Sequence, residues 1–465
     1  MHNEDHKSEP HRIWLIIGSS LLVLVMVALL PRKREDPSAP ASPNAPRLTA
    51  EVDSANDVRA RLWQRRSKPG ASHATAEEIV TGKLKQFVSS RRDLAHALAR
   101  RAGIAVPSEV ERFFDAVEAG RWDEMHTLYE MIQTQKKQEA PPFALRTLGH
   151  VILETLGVAQ AVQKWPSQKL LDYGHSILDS LRPGMVYVGG TDPGRYIPTL
   201  LNETSDGERH IVVTQNAFAD ATYLDYMNFL HGDRFATLTK GDSDRAFQDY
   251  LSDARKRWEH DQQFPNEPKQ IRPGEDVRML ENRIQVSGQI AVMAINERLL
   301  QMLMAKNPDA SFAIEQSFPF KSMYADTSPL GPIMELRVQD PQNVLTPERA
   351  AQSVDYWRAA AQALLSDPGA VDAEGVRMTY AKMAAEQAAL LLARSFGAEA
   401  EQAFRLATEI APGSPEAVYR YVNLLVAQGR LADAIPVVEA AVNADVNNQQ
   451  QFRTLRDELN SMGKN

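Results

Sequence analysis

The longest apolar run of the chain lies near its N-terminus and most constrains how the chain can be placed. Ile13 to Leu30 reads IWLIIGSSLLVLVMVALL, eighteen residues without a charged side chain. A helix of that length spans about 27 Å, close to the thickness of the hydrocarbon layer of a membrane. The run therefore predicts a transmembrane anchor at 13–30, behind a short tail at 1–12. A cleaved signal peptide is the alternative, although no A-x-A cleavage pattern follows the run.

Basic residues stand on both sides of this run. Two precede it and three follow it, namely Lys7, Arg12, Arg32, Lys33 and Arg34. Because lysine and arginine are in excess on the cytoplasmic side of membrane spans, this near balance slightly favours a cytoplasmic C-terminal part. Residues 31–74 begin with a stretch rich in proline and alanine, and its repeated prolines are incompatible with a helix. This composition predicts a disordered linker.

The composition excludes several classes of function. The 465 residues allow two or three domains. The 52 basic and 60 acidic residues are spread along the chain, and the formal charge is −8, so a nucleic-acid partner is disfavoured. There is no cysteine, which excludes disulfides, thiolate catalysis and cysteine-based zinc sites.

Two patterns of apolar residues follow the linker. Residues 75–183 show helical spacing, and a helical hairpin is predicted around Gly120. Residues 184–340 alternate short β-rich runs with helical stretches, which predicts an α/β domain with a mostly parallel sheet. The predicted strands are MVYVGG (185–190), HIVVTQ (210–215), FATLT (235–239), SFAIEQSF (311–318) and IMELRV (333–338).

The last hundred residues repeat with a period of 34. The matched positions pair Ala400 with Ala434, Phe404 with Val438 and Ala407 with Ala441. This period, with small residues where helices cross, is typical of tetratricopeptide repeats, which we predict at 375–462. Gly429 stands at the turn of the better copy, and Ser395 stands in its place in the other. Because two copies are fewer than usually fold alone, we expect them to pack against preceding helices, including a connecting helix within 341–374.

The loop GGTDPGR follows the first predicted strand, at the sheet edge where open α/β folds bind ligands. Backbone N–H groups around Gly189, Gly190 and Gly194 are suited to hold an anion, with Asp192 and Arg195 as polar partners. The spacing fits neither the dinucleotide-binding nor the P-loop pattern. An ordinary turn that begins a helix is the alternative interpretation.

Three further polar residues follow the second strand. In a parallel sheet, Asn216, Asp220 and Tyr223 would face the same crevice, although Asn216 and Asp220 also suit local helix caps. Asp242 and Asp244 form a D-x-D string, a weak candidate for a metal site, for which capping of the next helix is the preferred interpretation. Neither H-E-x-x-H nor G-x-S-x-G occurs, so catalytic residues and cofactors stay unassigned.

Four longer segments carry a resemblance: GMVYVGGTDPGRYIPTLL, VVTQNAFADATYLDYM, QVSGQIAVMAINERL and FPFKSMYADTSPLGPIMEL. Together they resemble the soluble domain of an uncharacterised bacterial family. That domain is also attached to multi-span membrane proteins that look like protein O-mannosyltransferases. The resemblance covers about residues 110–450 and implies an envelope protein whose soluble part faces the periplasmic side. We follow it over the charge balance at the anchor. It carries over no catalytic residue, because those belong to the multi-span part.

The sequence thus supports two hypotheses. The first is a membrane-anchored binding or scaffold protein, whose repeats bind a protein partner and whose α/β domain recognises a glycan or another small polar ligand. The second is an enzyme acting on glycosyl groups, or an accessory subunit of an envelope glycosyltransferase, working through Asp192, Arg195 and Asp220.

Overall fold

The computed structural model describes residues 74–138, 142–280, 283–315, 321–444 and 448–462. The predicted anchor at 13–30 and all but the last residue of the predicted linker lie outside the described residues. Within the described ranges, no helix combines the length and apolar character that a bilayer crossing needs. Asp244–Ile295 form one compact unit, and the other described residues form a second, larger one.

Helices make up most of the larger unit, as the sequence indicates for both of its ends. The N-terminal helices are α1 (Ala76–Ala102), α2 (Ser108–Glu118), α3 (Trp122–Lys136), α4 (Phe143–Thr147), α5 (Gly149–Lys164) and α6 (Ser167–Leu178). Further along are α7 (Asp192–Glu203) and α8 (Ala221–His231), and then α9 (Lys240–Gln263) and α10 (Gln289–Lys306), which have residues in both units.

Local sequence signals set the ends of the first helices. Thr75 and Glu78 form a reciprocal capping box at the start of α1, with the Glu78 N–H 3.2 Å from the Thr75 hydroxyl and the Thr75 N–H 2.7 Å from the Glu78 carboxylate. Gly120 has a left-handed backbone (φ 66°) between α2 and α3, a conformation that residues with a side chain rarely adopt. The helical hairpin predicted around this glycine is therefore present.

One sheet of five strands lies in the larger unit. Its strands are β1 (Val186–Gly189), β2 (Ile211–Thr214), β5 (Phe312–Ile314), β6 (Ser328–Leu330) and β7 (Ile333–Leu336). Their spatial order is β2-β1-β5-β7-β6. In the register of the sheet, Val186 lies opposite both Ile211 and Phe312. Strand β1 pairs parallel with β2 on one side and with β5 on the other. Helix α7 forms the crossover connection from β1 to β2 that a parallel pair requires.

The prediction of a mostly parallel sheet is wrong, because the sheet is mixed. Strand β7 pairs antiparallel with both β5 and β6. The physical reason is the short connection between β6 and β7, which turns at Gly331 with a left-handed backbone (φ 58°). A connection this tight can only reverse the chain, whereas parallel strands need a long crossover.

The predicted strand FATLT at 235–239 is also wrong. These residues form an irregular segment before α9. Side chains satisfy their backbone in place of a neighbouring strand: the Ala236 N–H donates to the Asn307 side chain (3.0 Å), which in turn donates to the Ala236 carbonyl (2.8 Å). Thr239 begins the next helix by accepting a bond from the Asp242 N–H (3.3 Å).

The smaller unit contains an antiparallel pair of strands that the sequence reading missed. Strands β3 (Asp276–Leu280) and β4 (Arg283–Ser287) are half exposed, and their charged residues hide the usual apolar signal of a strand. A buried acid organises the unit. Glu275 accepts a bond from Arg257 (2.7 Å) and also contacts the Tyr250 hydroxyl.

The C-terminal helices follow β7. They are α11 (Pro347–Leu365), α12 (Pro368–Val371), α13 (Glu374–Ala393), α14 (Gly397–Ile410), α15 (Pro415–Ala427), α16 (Leu431–Ala444) and α17 (Gln449–Met462). The helices α13 to α17 stack in chain order, each against its neighbour. Such stacking buries a continuous core without requiring long-range strand pairing.

Gln387 of α13 joins the repeats to the rest of the larger unit. Its fully buried amide donates to the carbonyls of Gly331 (2.8 Å) and Ile333 (2.9 Å) at the β6–β7 turn. Its oxygen accepts bonds from Ser353 (2.7 Å) and Trp357 (3.0 Å) of α11. The expectation that the repeats pack against a helix preceding them is confirmed.

Candidate functional site

The loop GGTDPGR joins the end of β1 to the start of α7. Thr191 caps the helix, because its hydroxyl accepts a bond from the Gly194 N–H (3.0 Å). The hydroxyl of Tyr187, a buried residue of β1, donates to the Gly194 carbonyl (2.6 Å). The loop is thus held on both sides by short-range hydrogen bonds, as the turn interpretation requires.

A side chain of the same molecule binds the amide hydrogens of this loop. The N–H groups of Gly190 (3.2 Å) and Thr191 (3.0 Å) donate to one carboxylate oxygen of Glu315. The other oxygen accepts bonds from the Thr191 hydroxyl (2.7 Å) and from the Tyr173 hydroxyl (2.8 Å). Glu315 is 1% exposed and directly follows β5, which pairs with β1. An internal carboxylate therefore takes the hydrogen bonds that the sequence assigned to an external anion.

The glycines of the loop allow these close contacts. A Cβ atom on Gly194 would lie 1.8 Å from the Glu315 carboxylate, and one on Gly189 would lie 2.7 Å from the Arg195 side chain. Both positions exclude any larger residue without a shift of the surrounding atoms. Glu315 was not predicted, because it lies in the middle of the predicted strand 311–318, whereas the observed strand β5 ends one residue before it, at Ile314.

The other predicted residues lie around the ends of β1 and β2. The Asn216 amide is 3.5 Å from the Gly190 carbonyl, a long contact. The Tyr223 hydroxyl accepts a bond from the N–H of Thr214, the last residue of β2 (2.6 Å). Asp192 is exposed in the first turn of α7. The structure therefore brings the predicted residues to one edge of the sheet.

Asp220 caps α8 and pairs with a histidine from α5. Its carboxylate accepts bonds from the Thr222 N–H and hydroxyl (both 2.8 Å) and lies 3.4 Å from the His150 ring. Burial raises the pKa of Asp220, but the bonds from His150 and Thr222 outweigh it and hold the pKa well below its usual range. The His150 ring also packs edge-on against Tyr223, with 5.3 Å between ring centroids. Sequence spacing gave no hint of His150.

Two cations at this edge have no carboxylate within 4 Å among the residues that the structure describes. Arg195 stacks on the ring of Tyr196 (4.0 Å from its centroid), and its buried Nε has no hydrogen-bond partner among the described residues. Burial lowers the pKa of Arg195, and the nearby Asp192 opposes this shift. Burial likewise lowers the pKa of Lys136 at the end of α3, opposed by Asp220. Such shifts mark cations whose lost hydration is not fully replaced.

Asp242 is used at the start of α9. It accepts bonds from the Thr239 N–H and hydroxyl (both 2.8 Å) and pairs with Lys306 (2.7 Å). Asp242 therefore stabilises the start of α9 as the sequence suggested, but from within the first turn, because the helix begins two residues earlier, at Lys240, with Thr239 before it. Asp244 lies in the smaller unit. Across the described ranges, no group of three or more histidine, aspartate or glutamate side chains is arranged to hold a metal ion.

Helix α15 of the repeats contacts α13 through ion pairs and α17 through a pair of aromatic rings. Lys382 pairs with Glu416 (2.9 Å), and Arg420 pairs with the buried Glu386 (2.6 Å). The ring of Tyr419 packs against a phenylalanine of α17, Phe452, at 5.9 Å. Three buried oxygens on these helices lack a partner among the described residues; they are Glu416 Oε2, the Tyr419 hydroxyl and Glu458 Oε2.

Residues 385–459 match the family model of the tetratricopeptide repeat. The match covers α14, α15 and α16 with parts of α13 and α17, and it agrees with the 34-residue period of the sequence. No significant match to the chain was found among curated proteins or among solved structures. The repeat is therefore the part of the chain that a known family accounts for.

Proposed function

We propose that the protein is a membrane-anchored scaffold that binds a segment of a protein partner on its tetratricopeptide repeats. The family match at 385–459 carries this proposal, because such repeats generally serve protein–protein interaction. The stacked helices present an extended surface, and their attachment through Gln387 fixes that surface on the rest of the larger unit.

One face of α15 supports the proposal. Glu416, Tyr419 and Asn423 follow one another at intervals of three and four residues, so they lie on one side of the helix. Glu458 of α17 is close enough that, together with burial, it raises the pKa of Tyr419. We call the surface formed by these four residues the repeat face. Its unpaired oxygens are buried in the free protein, and rotation of their side chains on binding would bring them to donors of the partner, which would offset their lost hydration.

The anchor belongs to the same proposal. The uncharged run at 13–30 supports attachment to a membrane, and the resemblance of residues 110–450 to an envelope domain supports a periplasmic position for the repeats. Cell fractionation combined with protease treatment of intact and opened cells tests both points. Recovery of the full chain in the soluble fraction would contradict attachment. If the chain resists protease after the outer membrane is opened and is cleaved only after the inner membrane is broken, the periplasmic position is contradicted.

Site-specific photo-crosslinking tests the binding role. A photoreactive amino acid at Asn423, which is exposed at the edge of the repeat face, should yield one discrete adduct in the cells that express the protein. The same amino acid at Glu439, an exposed residue of α16, serves as the matched control. The adduct should weaken when Tyr419→Phe removes the unpaired hydroxyl and when Glu458→Gln removes the negative charge near it. Equal adducts at both positions, or none at Asn423, would contradict the proposal.

A further inference from the structure

A cluster of basic side chains lies at the edge of the sheet, apart from the repeat face. Arg195 comes from the first turn of α7, Lys136 from the last turn of α3 and His150 from the first turn of α5. Lys136 and Arg195 are both half-buried, and neither has a carboxylate within 4 Å in the described parts of the chain. A cation held out of water without a counter-ion is costly unless a ligand supplies one.

A chain of contacts links the three side chains at this edge. The Lys136 ammonium lies 2.8 Å from where a Cβ atom of Gly149 would be, and Gly149 directly precedes His150. The Arg195 side chain lies 2.7 Å from where a Cβ atom of Gly189 would be, at the end of β1. Gly189 lies opposite Thr214 of β2, whose N–H donates to the Tyr223 hydroxyl (2.6 Å). The Tyr223 ring in turn packs against His150.

The acids nearby are already engaged or exposed. Glu154 pairs with Arg91 (3.2 Å) and accepts a bond from the Tyr226 hydroxyl (2.6 Å). Asp220 pairs with His150 and, as the cap of α8, accepts a bond from the Thr222 N–H. Asp192 is exposed, where water screens its attraction to Arg195.

We propose that Arg195, Lys136 and His150 bind the phosphoryl group of a small ligand at the carboxyl edge of β1 and β2. Arginine and lysine are the side chains that bind phosphate most often, since both offer several N–H donors and a positive charge. The edge of parallel strands is also where open sheets bind ligands. The amides of the GGTDPGR loop take no part, because Glu315 holds them. The site is independent of the repeats.

The test uses the full chain in detergent and inorganic phosphate as the probe. Because a ligand that binds the native state raises its unfolding midpoint, 10 mM phosphate should raise the midpoint by about 2 °C or more over chloride at equal ionic strength. Calorimetric titration with phosphate should show one site per chain. Acetate, a carboxylate anion, is tested in the same way for comparison. If acetate raises the unfolding midpoint as much as phosphate does, the assignment to a phosphoryl group is overturned.

Variants locate the site. Arg195→Met and Lys136→Met should each abolish the phosphate effect, whereas Arg112→Met, which removes an exposed cation of α2, should keep it. A phosphate effect that survives in both site variants would overturn the proposal, as would its absence from the wild type. If Arg195→Met does not fold, Lys136→Met alone decides, because Lys136 makes no hydrogen bond or ion pair to another described residue whose loss would unfold the chain.

Discussion

Replacing Ser395 by glycine should stabilise the repeat helices. Ser395 lies between α13 and α14 with a left-handed backbone (φ 67°), and Gly429 lies between α15 and α16 with almost the same angle (φ 72°). The residue after each turn makes the same hydrogen bond: the Phe396 N–H donates to the Leu391 carbonyl and the Arg430 N–H donates to the Leu425 carbonyl, both at 2.9 Å. The first repeat thus forms the glycine turn without the glycine.

The size of the effect follows from two opposing terms. A side chain in the left-handed region costs about 1–2 kcal/mol, which glycine removes. Glycine also gives the unfolded chain more freedom, which costs about 0.4–1 kcal/mol. Because Ser395 is exposed, little packing is lost with its side chain. We therefore expect Ser395→Gly to raise the free energy of unfolding by about 0.5–1 kcal/mol, or the midpoint by about 1–3 °C.

Gly429→Ser is the matched control. No atom lies within 4 Å of a Cβ built on Gly429, so the substitution adds backbone strain without a clash. It should lower the free energy of unfolding by a similar amount, about 0.5–1 kcal/mol. Chemical unfolding of the purified chain, followed by circular dichroism of the helices, measures both. A destabilising Ser395→Gly, or shifts of the same sign in the two variants, would refute the reasoning.

Three further outcomes follow from the structure. Glu315→Gln should destabilise the fold by about 2–4 kcal/mol in equilibrium unfolding, because an amide cannot accept all four bonds that the carboxylate accepts. Gly194→Ala should prevent folding or lower the thermal midpoint strongly, because the new methyl group would overlap that carboxylate, whereas Gly375→Ala, with no atom within 4 Å of its Cβ, should be neutral or stabilising. Burial and Arg234 lower the pKa of His231 to about 4, so the unfolded state binds the proton first and stability should fall as the pH drops from about 6.5 to 4. His231→Gln should flatten that dependence in unfolding titrations, and an unchanged slope would contradict the assignment.

The sequence by itself determined the features that depend on neighbouring residues. The 34-residue period places small residues at helix crossings and predicts the repeat that the family match identifies at 385–459. The helical hairpin at Gly120 and the cap at Asp242 were also predictable, because turns and caps depend on side chains within a few positions. Four strands, β1, β2, β5 and β7, were also predicted in their order along the chain, whereas FATLT is not a strand and β3, β4 and β6 were missed.

Only the tertiary structure decided what distant segments do to one another. It placed Glu315 against a loop more than a hundred residues earlier, so that the amides expected to bind a ligand bind the protein instead. It reversed β7 within the sheet, and it brought His150 to Asp220 and the Lys136 ammonium to Gly149. Spacing along the chain carries no information on such contacts. They are set by which buried polar groups find partners when the core closes, and that balance exists only in the folded chain.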